Sequence, residues 1–325
     1  MKFLRLLVLL VLILAGLLFW RMRPYQGFSG EVFVEIPHGT STDDIATMLA
    51  GAGVVRKSWD FLLARMLYRR RVLQAGEYRF DRAATPFEVA DRISRGDVFY
   101  FELVIPEGKN MFDIAAAAEQ VGLFPAAQFL AAARDPALIR DLDPQAPTLE
   151  GYLFPSTYKL SHHTTPERLC RTMTASFRDA WRALAAKAGV HETVTLASLV
   201  EKEGKLAEER PRIAAVFANR LRIGMKLDCD PTTIYAALLN GRYRGVIHRS
   251  DLDSDDPYNT YRHPGLPPGP IANPGLASIR AALEPADSDA LFFVLRPDGS
   301  GGHQFSNNMA AHEAATEKYR HGGQR

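Results

Sequence analysis

Leu196-Ala-Ser-Leu-Val-Glu-Lys-Glu203 decides the reading of this chain. Leu196, Leu199, Val200 and Glu203 fall at i, i+3, i+4 and i+7, the stripe a helix turns toward a core. A carboxyl on that stripe loses water, and desolvation raises its pKa by disfavouring the charged form. Such a group holds its proton near neutral pH and can donate it as a general acid. Glu201 lies roughly 200° around the helix and is expected to face solvent or a polar neighbour. Periodicity alone leaves open that Glu203 simply ends the apolar stripe at a helix terminus.

Outward from this segment, Pro211 opens a second amphipathic helix. Ile213, Val216, Phe217 and Leu221 form its apolar face, with Asn219 and Arg220 near its end. Asp230 before Pro231 reads as an N-cap followed by proline at the first helical position. Asp256-Pro-Tyr-Asn-Thr-Tyr261 then runs into Gly265-Leu-Pro-Pro-Gly-Pro-Ile-Ala-Asn-Pro-Gly275. That composition excludes regular helix or sheet and predicts a long functional loop. Tyr258, Asn259 and Tyr261 argue against disorder, because such side chains stack on sugar faces and hydrogen-bond to hydroxyl and acetamido groups.

At these residues a resemblance emerges. The ordered elements SLVEKE, VFANRL, GMKLDCDPT, PYNTY, GLPPGPIANPG and GGHQF resemble the endolytic murein lytic transglycosylases, the YceG-like family. Leu149-Glu-Gly-Tyr-Leu-Phe-Pro155 matches a further element upstream. The resemblance implies cleavage of the β-1,4 bond between N-acetylmuramic acid and N-acetylglucosamine in peptidoglycan, leaving a 1,6-anhydromuramoyl end. It assigns the catalytic glutamate to the second Glu of the EKE triplet, Glu203. The chain departs from the family pattern at Gly204, where Thr is usual, at Asp228, where Gln is usual, and at Ser156, where Asp is usual. Each departure puts a supporting contact in question without removing the acid.

One carboxyl suffices for the chemistry that the resemblance implies. A glycoside hydrolase normally uses a pair, whereas a lytic transglycosylase uses the sugar's own C6 hydroxyl as nucleophile. The candidate substrate-binding residues are Tyr258, Asn259, Tyr261, Asp230, Asn219 and His303. Asp230 reads foremost as a helix cap, and His303, in Gly301-Gly-His-Gln-Phe305, as structural or cleft-lining. Two rivals stand beside this reading. A hydrolase would recruit a second carboxylate from Glu201, Asp228 or Asp230. A non-catalytic wall-binding scaffold would be indifferent to Glu203.

The N-terminus places the protein. Leu6 to Trp20 is an unbroken apolar run between Lys2 and Arg5 and Arg21 and Arg23. With its flanks it approaches the ~20 residues needed to span a bilayer. It ends in Phe19-Trp20-Arg21 rather than a small-x-small cleavage site, favouring an uncleaved anchor over a signal peptide. The resemblance implies a single-pass protein of the cytoplasmic (inner) membrane with its body facing the periplasm or wall, coupled to penicillin-binding protein synthases. A net charge of +2 does not suggest a nucleic-acid partner. Arg69-Arg70-Arg71 is local and reads as a solvated helix end. Cys170 and Cys229 lack metal spacing and are expected to stay unpaired. His312-Glu313-Ala-Ala-Thr316 begins like a zincin motif but lacks the second histidine. No metal and no cofactor are expected.

Between anchor and catalytic region lies an internal repeat. Ile36-Pro-His-Gly39 and Ile105-Pro-Glu-Gly108 are followed by Asp44-Ile-Ala46 and Asp113-Ile-Ala115, then by Gly53-Val-Val55 and Gly122-Leu-Phe124. The pattern is strand, Gly turn, amphipathic helix and a return to apolar chain. The first unit resembles a LysM-like module, a small α/β fold that grips N-acetylglucosamine chains. Beyond it, Leu291-Phe-Phe-Val294 reads as a buried strand, and a polar helix runs from about Asn307 to Tyr319. The expected architecture is α+β: a membrane anchor over 1–23, a LysM-like and spacer region over 24–145, and a mixed catalytic domain over 146–325 with its acid on a helix.

Overall fold

A computed structural model describes residues 2–67, 72–186 and 188–322, so Arg69-Arg70-Arg71 lies outside the described residues. The chain divides into two compact units, Met1–Phe101 and Glu102–Arg325, both mixed α+β. The first begins with α1 (Lys2–Arg21). Leu6 to Ile13 and Leu17 to Trp20 are all exposed along it. Among the described residues no helix is long and apolar enough to cross a membrane, so the span expected over Leu6–Trp20 remains a reading of the sequence. The C-terminal end of α1 is tied down. Arg21 Nε and Nη2 donate to the fully buried Asp60 carboxylate at 2.8 and 3.2 Å. Its guanidinium lies 4.1 Å over the Trp59 ring.

The rest of this unit runs β1 (Val32–Ile36), α2 (Thr42–Gly51), α3 (Ser58–Leu67), β2 (Gly76–Phe80) and α4 (Pro86–Arg95). β1 and β2 pair antiparallel with Val34 opposite Tyr78. Alternation in β1 sends Val34 and Ile36 into a core with Ile45, Leu49, Phe61, Tyr78 and Ile93. Thr85 and Glu88 cap α4 reciprocally, Pro86 enters its first turn, and Gly96 ends it in the left-handed region.

The second unit opens with the same order: β3 (Phe101–Ile105), α5 (Met111–Gln120), α6 (Ala126–Ala133) and, after a longer connection, β4 (Ser156–Leu160), which pairs with β3. The repeat motif explains itself here. Gly39 and Gly108 turn each chain at φ +82° and +76°, a conformation that strains any side chain. Asp44 and Asp113 both occupy the third helical position, where Ser41 and Asn110 accept their backbone N–H. The Ile and Ala that follow each Asp are buried. The boundary expected at 145/146 falls inside this unit. Leu103, Ile114 and Phe129 share one core with Leu149, Tyr152, Phe177 and Val194, so the division lies at 101/102 instead.

The remaining elements are α7 (Pro166–Leu184), α8 (Val190–Glu203), α9 (Arg210–Arg222), α10 (Asp230–Leu239), α11 (Arg249–Leu252), α12 (Leu276–Leu283), the antiparallel hairpin β5 (Phe292–Leu295) and β6 (His303–Ser306), and α13 (Met309–Gly322). α8 is the axis, packed by α9, α10 and α12. The expected apolar stripe is too narrow a description: Thr193 to Val200 are buried on every side, as in a helix enclosed by others. Ser198 Oγ donates to Thr195 O at 2.7 Å and accepts the Ile271 N–H at 3.1 Å, and Thr193 Oγ1 donates to Gly189 O at 2.7 Å, whereas Thr195 Oγ1 is buried without a partner among the described residues. The first turn, at His191 and Glu192, and the last turn leave this enclosure. The loop between α11 and α12 has no regular structure, as its prolines and glycines predict.

Candidate active site

Glu203 is the last residue of α8, and the N–H of Gly204 closes that turn on Val200 O at 2.8 Å. Around the Glu203 carboxyl the structure assembles two cavities. The larger, about 420 Å³, is lined by Glu203, Arg220, Asp228, Cys229, Asp230, Tyr261, Phe292, Phe293, Met309 and His312. The smaller, about 270 Å³, is lined by Lys202, Glu203, Lys205, Phe293, Leu295 and His303. Glu203 and Phe293 belong to both. An extended ligand crossing from one to the other therefore passes the carboxyl.

Burial pushes the Glu203 carboxyl above the ordinary carboxylate range, and the negative Asp230 nearby acts in the same direction. Two groups oppose them. The Cys229 thiol donates to Glu203 Oε1 at 3.4 Å, and His303 contributes a favourable field. Burial also pushes the Cys229 thiol well above its usual value, so it stays an S–H donor. Cys170 is likewise a free, buried thiol.

The expected substrate residues separate into two groups. Tyr261, Asp230 and His303 line the cavities. Tyr261 donates its hydroxyl to Asp230 Oδ1 at 2.6 Å. Asp230 is the first residue of α10 and Cys229 occupies the N-cap position, so the Asp230 carboxylate faces Tyr261 and the cavity rather than capping the helix. His303 is buried and held by Glu209, with Nδ1 2.7 Å from Oε2.

Tyr258, Asn259 and Asn219 are not brought to Glu203. Tyr258 packs on Tyr235 with ring centroids 5.1 Å apart. Asn259 is fully buried and donates to the carbonyls of Leu252 and Ser254 at 2.9 and 2.7 Å, while its Oδ1 accepts the Tyr261 N–H at 3.1 Å. Asn219 donates to Ser288 O and Ala290 O at 2.7 and 3.0 Å, fixing the approach to β5. The two amides are satisfied internally and Tyr258 is packed against Tyr235, so all three lie in the scaffold.

Each of the three candidate second carboxylates has a partner of its own. Glu201 is a buried ion-pair partner, 2.9 Å from Arg210 Nη2, and accepts the Gly275 N–H at 3.0 Å. Asp228 lies 3.5 Å from Arg220, and burial raises its pKa. Asp230 holds the Tyr261 hydroxyl. At Gly204, an added Cβ would meet Arg210 Cγ at 2.9 Å and Val200 O at 3.0 Å, so the residue usual in the family does not fit without a shift. Ser156 begins β4 and lines neither cavity.

Several cavity residues escaped the sequence reading. Arg220 is buried, donates to Leu291 O at 2.7 Å and Leu227 O at 2.9 Å, and lies over Phe292. Its signal was present: Ile213, Phe217 and Arg220 fall at i, i+4 and i+7, the same stripe logic that singles out Glu203. Met309 and His312 arrive from α13, and nothing local marks them. His312 stacks on Phe292 at 5.0 Å, and burial lowers its pKa. Among the described residues no group of His, Cys, Asp or Glu is placed to hold a metal ion.

The family model described as YceG-like matches residues 34–318. The chain belongs to the YceG-like family. A protein of Bacillus subtilis (strain 168), named endolytic murein transglycosylase, is 33% identical over 309 residues, covering 89% of this chain and 84% of the relative. A Streptococcus pneumoniae protein of the same name is 31% identical over 315 residues, covering 87% of this chain but only 57% of the relative. The crystal structure of a YceG-like protein from Listeria monocytogenes aligns with a TM-score of 0.55 at 32% identity, over 87% of this chain and 98% of that one.

Proposed function

We propose that the protein is an endolytic lytic transglycosylase that cuts the β-1,4 bond between N-acetylmuramic acid and N-acetylglucosamine within peptidoglycan strands. The product is a 1,6-anhydromuramoyl end. The observation that carries this reading is the Glu203 carboxyl, desolvated and raised in pKa where two cavities meet. Glu203 protonates the leaving glycosidic oxygen as the bond breaks. The resulting carboxylate then takes the proton from the muramoyl C6 hydroxyl as that oxygen closes on the anomeric carbon. Cys229 S–H supports the carboxylate between these steps. Such acid–base help is worth roughly 100- to 10,000-fold. Asp230 stabilises the positive charge that develops on the sugar, and Tyr261 orients the carboxylate.

The engagement of the other carboxylates favours the internal nucleophile over a hydrolytic water. Glu201 is paired outside the cavities, Asp228 is drawn to Arg220, and Asp230 accepts from Tyr261. In the first unit, the β1–α2–α3–β2 order supports a LysM-like module gripping N-acetylglucosamine chains. Leu6–Trp20 anchors the chain in the cytoplasmic membrane with its body toward the wall, where penicillin-binding protein synthases supply its strands.

A digest of purified peptidoglycan, read by mass spectrometry, tests the reaction. Wild type gives anhydromuramoyl products and Glu203→Gln gives none. Reducing ends from wild type would make the enzyme a hydrolase. Glycan binding without any cleavage would leave a scaffold.

A further inference from the structure

A space larger than either cavity around Glu203 lies elsewhere in the second unit. A groove of about 780 Å³ lies between the β5–β6 hairpin and α13, lined among others by Arg212, Leu295, Arg296, Phe305, Ala315 and Lys318. Leu295 also lines the smaller Glu203 cavity, so the two spaces adjoin across one side chain. Small residues on α13, Ala311, Ala314 and Ala315, leave the groove open. Phe305 gives it an apolar floor, with the Arg212 guanidinium 4.0 Å over the ring.

The charge along this path is net positive. Lys202 and Lys205 line the smaller cavity, and Arg212, Arg296 and Lys318 line the groove. Among the described residues, Lys205, Arg212 and Lys318 stand in no ion pair. The groove also carries two carboxylates, Asp289, which accepts from Asn307 Nδ2 at 2.8 Å, and Asp298, which accepts from Ser300 N and Oγ at 2.9 and 2.6 Å. Arg296 is paired with Glu209 at 3.2 Å, so Arg212 and Lys318 are the cations it leaves for a ligand. The larger Glu203 cavity has the opposite character, with Asp228 and Asp230 facing one arginine. An anionic appendage on a bound strand is therefore repelled on one side of the acid and attracted on the other.

We propose that this groove binds the acidic peptide carried by the muramoyl sugar whose glycosidic bond Glu203 protonates. The inference rests on the transglycosylase reading and assigns the strand a direction. The muramoyl sugar occupies the smaller cavity beside Lys202 and Lys205, and the N-acetylglucosamine, which carries no peptide, occupies the larger one. A peptide of four or five residues reaches about 15 Å when extended, enough to pass Leu295 and lay its carboxylates beside Arg212 and Lys318.

The test compares the full-length enzyme in detergent on soluble glycan strands with their peptides and on the same strands stripped by an amidase. Wild type is expected to show a kcat/KM about tenfold higher on the peptide-bearing strands, a preference that falls as salt rises. Lys318→Glu and the Arg212→Gln/Lys318→Ala double variant are expected to lose that preference through KM, while stripped strands are cut as by wild type. Equal rates of wild type on both substrates would overturn the proposal. So would variants that lose both activities together while remaining folded by thermal melting, or that keep the preference. Failure of wild type to release anhydromuramoyl ends from either substrate would instead strike the transglycosylase reading.

Discussion

Glu203 owes its raised pKa to one position at the end of a buried helix. Seven residues back, Leu196 is enclosed, whereas Glu203 borders both cavities. Its neighbours set opposing pulls that can be separated. In the proposed mechanism Glu203 must hold its proton to work, so activity is expected to fall as pH rises through its raised pKa. Asp230→Asn removes a charge that raises that pKa, and the alkaline limb of kcat/KM is expected to move to lower pH. Cys229→Ala removes a donor to the carboxylate and is expected to move the limb to higher pH. Profiles of both variants on soluble strands check this, and limbs moving in the same direction would mean that another group titrates. Glu203→Gln is expected to lower turnover by roughly 100- to 10,000-fold. It should melt no lower than wild type, because a neutral amide replaces a group that burial disfavours as an anion.

At the scale of elements, Glu150 shows what the motifs are for. LEGYLFP and GPIANPG lie more than 100 residues apart yet meet at Asn273, whose Oδ1 accepts the N–H groups of Gly151 and Leu153 at 2.8 and 2.9 Å. Asn273 Nδ2 donates to Glu150 at 2.7 Å, and Glu150 also accepts the N–H of Met111 at the start of α5 at 2.9 Å. Burial pushes the Glu150 carboxyl from 4.5 up to about 8, although these donors pull the other way. The folded state therefore holds a proton that the unfolded chain releases. The stabilising effect is complete below about pH 4.5 and is lost as pH rises toward about 8, at most on the order of 5 kcal/mol. Urea unfolding across that window is expected to show the decline, and Glu150→Gln to flatten it. A variant with the wild-type slope would place the titration elsewhere. Such a junction was not legible in the chain. Local periodicity gave α9, the strand near Phe292 and the repeat, because those depend on neighbours in sequence. Tyr258, Asn259 and Asn219 read as ligand contacts because polarity in a loop looks alike whether it faces a sugar or a backbone. Arg220 was legible and overlooked, whereas Met309 and His312 reach the cavity only through tertiary packing.

On the scale of the whole molecule, the first unit is joined to α1 by an ion pair whose removal should be felt far from any substrate. Asp60 is fully buried, and beyond Arg21 its carboxylate accepts the Lys57 N–H at 3.0 Å. Arg56 adds a second tie, its guanidinium 4.7 Å from the Trp20 ring and 4.6 Å from Tyr25. If Leu6–Trp20 spans the membrane, these contacts hold the β1–α2–α3–β2 module close to the point where the chain emerges. A soluble body that begins at Pro24 then lacks the partner of a buried charge, whereas one that begins at Trp20 keeps it. Breaking a buried pair by removing one partner costs about 3–5 kcal/mol. The first unit has its own core, separate from those of the second, so the loss should appear as an early melting transition confined to it. Calorimetry of the two truncated proteins is expected to show that transition lowered only in the shorter one, with the transition of the second unit unchanged. Asp60→Asn in the longer protein should itself lower that transition, since the amide keeps only one oxygen to accept from Arg21 and the Lys57 N–H. Identical melting of the two bodies would mean that the Arg21 clasp contributes nothing, and that the module hangs from its anchor by the chain alone.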